Sequence, residues 1–252
     1  MATLMIGGAL GNDLSPAEAT QDALFGGSVV LFQPPRGAGY RTNVDALLLA
    51  GFATAPKVAT VAFDLGAGVG AVGLALLRLG AARRVVFVEI DDQPAAMARR
   101  NLDANGWTDR GEVVRGDVRD IARARRGEAS LVVCNPPYIR PGRGRVAPSQ
   151  ARARSGEVET FVEASRQVAG RKARVCFVYP AQELPSLLGI LAAEGLHAKR
   201  LRFVHATPET PARIALVEAQ AGRPGGLIVT PPLFERGARG YTPEMQALLA
   251  RG

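Results

Sequence analysis

From residue 60 onward, short apolar runs alternate with helix-forming stretches at a regular spacing. Val61-Ala62-Phe63-Asp64-Leu65 predicts a buried strand, and Val72 to Leu79 an apolar helix after it. Arg84 to Ile90, built around Val85-Val86-Phe87-Val88, is a second strand, and Pro94 to Asn105 a helix whose first turn tolerates the proline. Glu112 to Arg115 is a third strand, Val118 to Ala124 a short helix, and Ser130 to Cys134 a fourth strand. A helix near Val158 to Val168 and a strand from Ala173 to Tyr179 complete the series. Strand–helix repeats of this length imply right-handed βαβ units and a parallel sheet.

The pattern changes on either side. Upstream, Val29 to Gln33 is a short strand before a Pro-Pro loop, and Asp45 to Phe52 a helix with Thr42 or Asn43 as its N-cap. Residues 1 to about 25 carry no clear pattern. Downstream of a helix at Leu184 to Glu194, Lys199 to His205 and Ala212 to Glu218 are strands with only a short link, which fits an antiparallel pair at the sheet edge. Leu227 to Leu233 reads as one more strand segment, and Pro243 to Leu249 as a last helix. The expected fold is therefore α/β, a doubly wound Rossmann-like sheet with five parallel strands plus an antiparallel edge pair.

Composition narrows the class. The chain has 252 residues, 47% of them hydrophobic, enough for one sizeable α/β domain. No uninterrupted apolar run approaches the roughly 18 residues of a membrane span, and Met1 to Ser15 does not read as a signal peptide. Cys134 and Cys176 sit in apolar strand-like runs, as buried reduced thiols of a cytoplasmic protein do. His197 and His205 are the only histidines, and nothing of metal-ligand spacing surrounds them, so no metal is expected. The net charge of +8 suits a polyanionic partner. Nearly all of it is arginine, which genomic base composition alone can also produce.

Asp64-Leu65-Gly66-Ala67-Gly68-Val69-Gly70 follows the first buried strand and opens a helix. Gly68, Gly70 and Gly73 also fit the dinucleotide fingerprint, with Glu89 about 20 residues on. The loop by itself therefore leaves a dehydrogenase and a methyltransferase both open. Each binds an adenosine whose ribose needs a carboxylate at the end of strand two, where Glu89 stands. Asp64 favours the second: a carboxylate this close suits the ammonium of a methionine moiety and repels a pyrophosphate. Asp117, ending strand three, can accept from an adenine amine, cap the next helix, or do both.

Asn135-Pro136-Pro137-Tyr138 follows the fourth strand. By residue usage it arises by chance in on the order of one in a thousand chains of this length. In a doubly wound sheet strands one and four are neighbours at the point where the winding reverses, and ligands bind beyond their carboxyl ends. The glycine loop and the tetrapeptide thus border one crevice. An aryl or amide amine has a delocalised lone pair and two N–H donors. The Asn135 side-chain oxygen and the Pro136 carbonyl can accept both, turning the lone pair toward a methyl group. The two prolines stiffen the turn. Tyr138 can stack on a flat acceptor, and a base must first be unstacked to reach it.

These residues resemble those of class I methyltransferases, specifically the NPPY-type amino-methyltransferases. Phe32-Gln33 and Gly39-Tyr40-Arg41-Thr42-Asn43-Val44-Asp45 through Ala50 look like the segment preceding the glycine loop in bacterial tRNA(Val) adenine-37 N6-methyltransferases, and Gly240-Tyr241-Thr242-Pro243-Glu244 looks like that family's C-terminus. The resemblance implies S-adenosylmethionine as cofactor, held by Thr42, Asp45, Asp64, Gly66, Ala67, Gly68, Gly70, Glu89, Ile90, Asp117, Val118 and Asn135. It implies that Asn135, Pro136, Pro137 and Tyr138 hold the target amine, the N6 of an adenine in RNA, most simply a tRNA. It also divides the chain into an N-terminal extension, 1–40, and a methyltransferase domain, 41–252. Arg140, Arg143, Arg145, Arg152 and Arg154 follow the tetrapeptide with no acid among them, placed to meet phosphates around a flipped base. The same tetrapeptide serves side-chain amides, so a protein glutamine, an rRNA guanine or a DNA adenine remain alternative acceptors.

Overall fold

A computed structural model of the chain describes residues 19–37, 41–136 and 148–250. The chain starts with an antiparallel hairpin, β1 (Thr20–Leu24) and β2 (Val29–Gln33). Then come α1 (Val44–Ala53), β3 (Ala59–Leu65), α2 (Ala71–Arg78), β4 (Ala82–Glu89), α3 (Asp92–Ala104), β5 (Gly111–Arg115), α4 (Val118–Ala124) and β6 (Ala129–Cys134). α5 (Pro148–Val168), β7 (Ala169–Pro180), α6 (Leu184–Ala193), β8 (Leu196–His205) and β9 (Ala212–Ala221) follow. Four two-residue strands, β10 (Ile228–Val229), β11 (Leu233–Phe234), β12 (Arg236–Gly237) and β13 (Gly240–Tyr241), lead into α7 (Pro243–Ala250).

Along the main sheet the order is β10-β8-β9-β7-β6-β3-β4-β5. β5, β4, β3, β6 and β7 are mutually parallel, and β9 enters antiparallel between β7 and β8. The five parallel strands and the antiparallel pair are those expected. The pair does not end the sheet, however: β10 and β11 add to β8 in parallel. The segment expected as one strand over 227–233 is thus two, because Pro231 and Pro232 between them offer no N–H to a ladder.

Period-two alternation explains the apolar runs. Phe63, Val86, Val88, Val132 and Phe177 point into one core, covered by α4, α5 and α6. Ala62, Val85, Phe87, Val133 and Cys176 point into the other, with α1, α2, α3 and α7. Each strand of the centre is buried on both faces, so it reads as continuous hydrophobicity rather than alternation. Phe87 is fully buried, worth about 1.5–3 kcal/mol by area. Its ring lies over α2 where only glycine fits: a Cβ on Gly73 would come within 2.2 Å of it.

The hairpin belongs to this packing, since Phe25, Val29 and Leu31 lie in the α1–α3 core. On the edge of β2 turned away from β1, the backbone groups are met by side chains of α3 and its C-cap residue, Asn105. Asn101 Oδ1 accepts from Phe32 N at 2.6 Å and its Nδ2 donates to Phe32 O at 2.9 Å. Asn105 does the same for Val30, at 2.9 and 2.8 Å. Two amides one helical turn apart thereby replace a neighbouring strand and leave no open edge there.

Candidate active site

Three strand ends converge on one pocket. Leu65 of β3 is in register with Val88 of β4 and with Cys134 of β6, so the glycine loop, Glu89 and Asn135 leave the sheet at one level. The loop is anchored by Gly66 N and Ala67 N, both donating to Val88 O at 2.9 Å. Gly66, Gly68 and Gly70 have φ of 70°, 56° and 87°, a left-handed path that side-chain-bearing residues avoid. Gly70 is the N-cap of α2 and brings no capping side chain. Asp64 supplies the acceptor from a distance, its Oδ2 taking the N–H of Gly73 at 2.9 Å. Burial pushes the Asp64 carboxyl up to about 7 against that hydrogen bond, and the nearby Glu89 adds to the rise.

The pocket has a volume of about 490 Å³, within the usual range for small-molecule sites. Its polar wall includes Thr42, Asp64, Glu89, Asp117 and Asn135, with Asp91, Arg119 and Thr160 also lining it, and Gly66, Ala67 and Gly68 form its backbone wall. Ile90 and Val118 also line it; Ile90 is 58% exposed, an apolar side chain presented to the opening. Glu89 Oε2 accepts from Gly68 N at 2.7 Å and Oε1 from Asp91 N at 3.0 Å. A carboxylate has about four acceptor positions, so these bonds orient Glu89 and still leave it able to accept from hydroxyls. Asp117 is the N-cap of α4: its Oδ1 accepts from Arg119 N at 2.8 Å. The Arg119 guanidinium, 2.6 Å from Oδ2, lowers its carboxyl to about 2.

Asn135 follows β6 into the same wall, and its Oδ1 is buried with no hydrogen-bond partner among the described residues. A buried amide oxygen without a donor costs about 1–3 kcal/mol, so such a group is kept for a reason. As an amide oxygen, it can accept from an N–H or O–H donor. Pro136 is buried beside it. Pro137, Tyr138, Arg140, Arg143 and Arg145 lie outside the described residues. Arg152 and Arg154 fall within α5.

Two expected cofactor residues are elsewhere. Gly70 shapes the loop from behind, as the cap of α2, and does not line the pocket. Asp45 is fully buried and turned to Arg213, whose Nη2 is 2.6 Å from Oδ1. Burial opposes the charge of Arg213, but Asp45 and Glu235 outweigh it and hold the guanidinium well above its ordinary value. Sequence reasoning missed several lining residues, among them Ala46, Asp91, Arg119, Thr160 and Phe161. The Phe161 ring, from α5, sits where a Cβ on Gly66 would meet it at 3.0 Å. The only signal was the apolar spacing of that helix, which does not say which residue faces a ligand.

The lining fits S-adenosylmethionine by its chemistry: an acid beneath the loop suits an ammonium, Glu89 suits ribose hydroxyls, and apolar Ile90 and Val118 suit an adenine. Burial holds both cysteine thiols high, Cys176 at about 12, so neither is a nucleophile. Among the described residues no cluster of His, Cys, Asp or Glu could hold a metal, and no helix is long and apolar enough to cross a membrane.

Comparison with known proteins agrees. Residues 42–151 match the family model of the Methyltransferase small domain. A solved structure described as a predicted O-methyltransferase of Agrobacterium tumefaciens superposes with a TM-score of 0.66 at 24% identity, over 82% of this chain and 95% of that one, which establishes the fold. The chain has the Rossmann-like fold of class I methyltransferases and is a methyltransferase whose methyl donor is S-adenosylmethionine. Its finer likeness is to proteins named tRNA1(Val) (adenine(37)-N6)-methyltransferase. That of Pectobacterium carotovorum is 26% identical over 70% of this chain and 73% of its own, and that of Erwinia tasmaniensis 30% identical over 65% and 66%.

Proposed function

We propose that the protein transfers a methyl group from S-adenosylmethionine to the N6 amine of an adenine in tRNA, of the adenine-37 type that its relatives are named for. The observation that carries the reading is the buried, unpartnered Oδ1 of Asn135 in the wall shared with Asp64, Glu89 and the glycine loop. When bound, the cofactor supplies an electrophilic methyl carbon. Everything else falls to the chain. Asn135 Oδ1 and the Pro136 carbonyl accept the two N–H groups of the amine, which draws the nitrogen toward tetrahedral geometry and aims its lone pair into the pocket. A neutral amine needs no strong base before transfer, which is consistent with a wall that holds no histidine. Tyr138, by its place after the two prolines, stacks on the purine, and the arginines from Arg140 to Arg154 meet the phosphates around it.

The test is incubation with methyl-labelled S-adenosylmethionine and unmodified tRNA, followed by digestion to nucleosides. Label in N6-methyladenosine is expected. Label in protein, in guanosine, or in DNA alone would replace this reading with one of the other acceptors.

A further inference from the structure

A second groove, of about 720 Å³, opens beside the donor pocket and shares Thr42 with it. Its walls come from distant parts of the chain. Asp22, Arg36 and Arg41 belong to the N-terminal hairpin and the loop after it, Asn43 to the start of α1, and Tyr241 to the C-terminal β12–β13 hairpin. Gln33 joins the parts: its Oε1 accepts from Thr42 N at 3.0 Å and its Nε2 donates to Asp22 Oδ2 at 2.8 Å. Asp22, the acid of the groove, is already neutralised by Arg41, 2.6 Å away. Arg36 is exposed on the rim and forms no ion pair among the described residues. Tyr241 is 42% exposed and pairs across its hairpin with Arg236, whose guanidinium carbon lies 4.7 Å from the ring centroid. Arg239, in the same hairpin, is exposed as well.

An exposed tyrosine already stacked with arginine, a free arginine lining the same groove and a neutralised acid are the elements that bind a base together with its phosphate. We infer that this groove holds the RNA nucleotide next to the methylated adenine, its base stacked on Tyr241 and its phosphate at Arg36. The inference rests on the RNA reading above and gives that reading a second anchor. Thr42, in both cavities, fixes the step between them: the flipped adenine enters on the Asn135 side while its neighbour is held on the Tyr241 side. Gripping the flanking nucleotide also holds the backbone splayed, which the extrusion of a base requires.

The experiment uses the full chain and an unmodified tRNA substrate carrying 2-aminopurine at each position flanking the target adenine in turn. With wild type, fluorescence at one of the two positions is quenched on binding. Tyr241→Ala abolishes the quench and raises the KM for RNA about 10-fold, whereas Tyr241→Phe keeps both near wild type. Arg36→Glu raises the same KM about 10-fold and flattens its salt dependence. Affinity for S-adenosylmethionine stays unchanged in all three, which shows that they fold. Arg171→Glu, at the opposite end of the sheet, serves as the charge control and leaves the KM alone. Wild-type KM and quenching in both Tyr241→Ala and Arg36→Glu would overturn the inference while leaving the methylation reading intact. Failure of the wild-type protein to methylate RNA would overturn that reading itself.

Discussion

The donor pocket and the groove beside it share one residue and are built in opposite ways. The pocket is made from the ends of adjacent parallel strands, so each polar residue follows a strand terminus: Asp64 and the loop after β3, Glu89 at the end of β4, Asp117 after β5, Asn135 after β6. Its geometry is fixed by the sheet ladder, and buried groups carry it. The groove is assembled from the two ends of the chain, over 200 residues apart, and held by side chains such as Gln33 and Arg41 that bridge loops. The contrast suggests a division of labour. Under the proposed reading, chemistry that depends on sub-ångström placement sits on the rigid sheet, and recognition of a flexible polymer on peripheral elements that can change without disturbing it.

The sharpest way to break this division is Asn135→Ala. If the residue only positions the acceptor amine, kcat falls about 100- to 1000-fold, the usual cost of one preorganised acceptor or donor, while cofactor affinity by calorimetry holds. Equal loss of both would place Asn135 in cofactor binding instead. Next comes Asn101, the residue that ties the two regions: besides Phe32 it donates to Val69 O in the glycine loop at 2.9 Å, and it is fully buried. Asn101→Ala leaves a backbone N–H and two carbonyls without partners and should cost about 2–4 kcal/mol in urea unfolding. Cofactor affinity should weaken with it as the loop loosens. An unchanged unfolding curve would show that the hairpin and the loop are independent.

A third test concerns pH. The Asp64 carboxyl is raised to about 7 in the folded chain, from 3.8, chiefly by burial. The folded state therefore holds a proton that the unfolded state has released, and the free protein loses stability as pH rises from about 4 to about 7. A cationic ligand beside Asp64 reverses the sign for binding. S-adenosylmethionine affinity should rise about 10-fold per unit toward pH 7 and level off above it. In Asp64→Asn the profile should be flat; a profile still sloping would assign the titration elsewhere. The smallest effect expected is for Asp117→Ala, which removes the cap of α4 and should cost about 1 kcal/mol in thermal unfolding. A larger loss of cofactor affinity than of stability would show that Asp117 serves the ligand as well as the helix.

Much of this was visible in the residues. Valine-rich runs located the central strands β3, β4, β6 and β7, because their middles are buried on both faces. The loop glycines and the Asn-Pro-Pro-Tyr turn stood out, because a left-handed path and a stiff acceptor demand specific residue types at fixed offsets. β1 was not legible: Thr-Gln-Asp-Ala-Leu has no apolar pattern and is a strand only because β2 pairs with it. The first turns of α5, from Pro148, escaped notice because an arginine-rich stretch without an apolar face gives no period to read. Asp45 shows the limit most clearly. It lies one residue from the pocket-lining Ala46, yet helical geometry turns it to Arg213, 168 positions along the chain.

The sequence on its own determined the periodicity of the sheet, the class of methyl donor and the place of Asn135 at a strand end beside the glycine loop, since each is local and dictated by backbone geometry or by a short motif. Only the folded chain decided that Phe161 closes the loop, that Asn101 and Asn105 finish the edge of a hairpin, and that Arg36 and Tyr241 face one groove. Those are meetings between side chains far apart in order. Their partners are chosen by packing in three dimensions, which leaves no spacing for a linear reading to find.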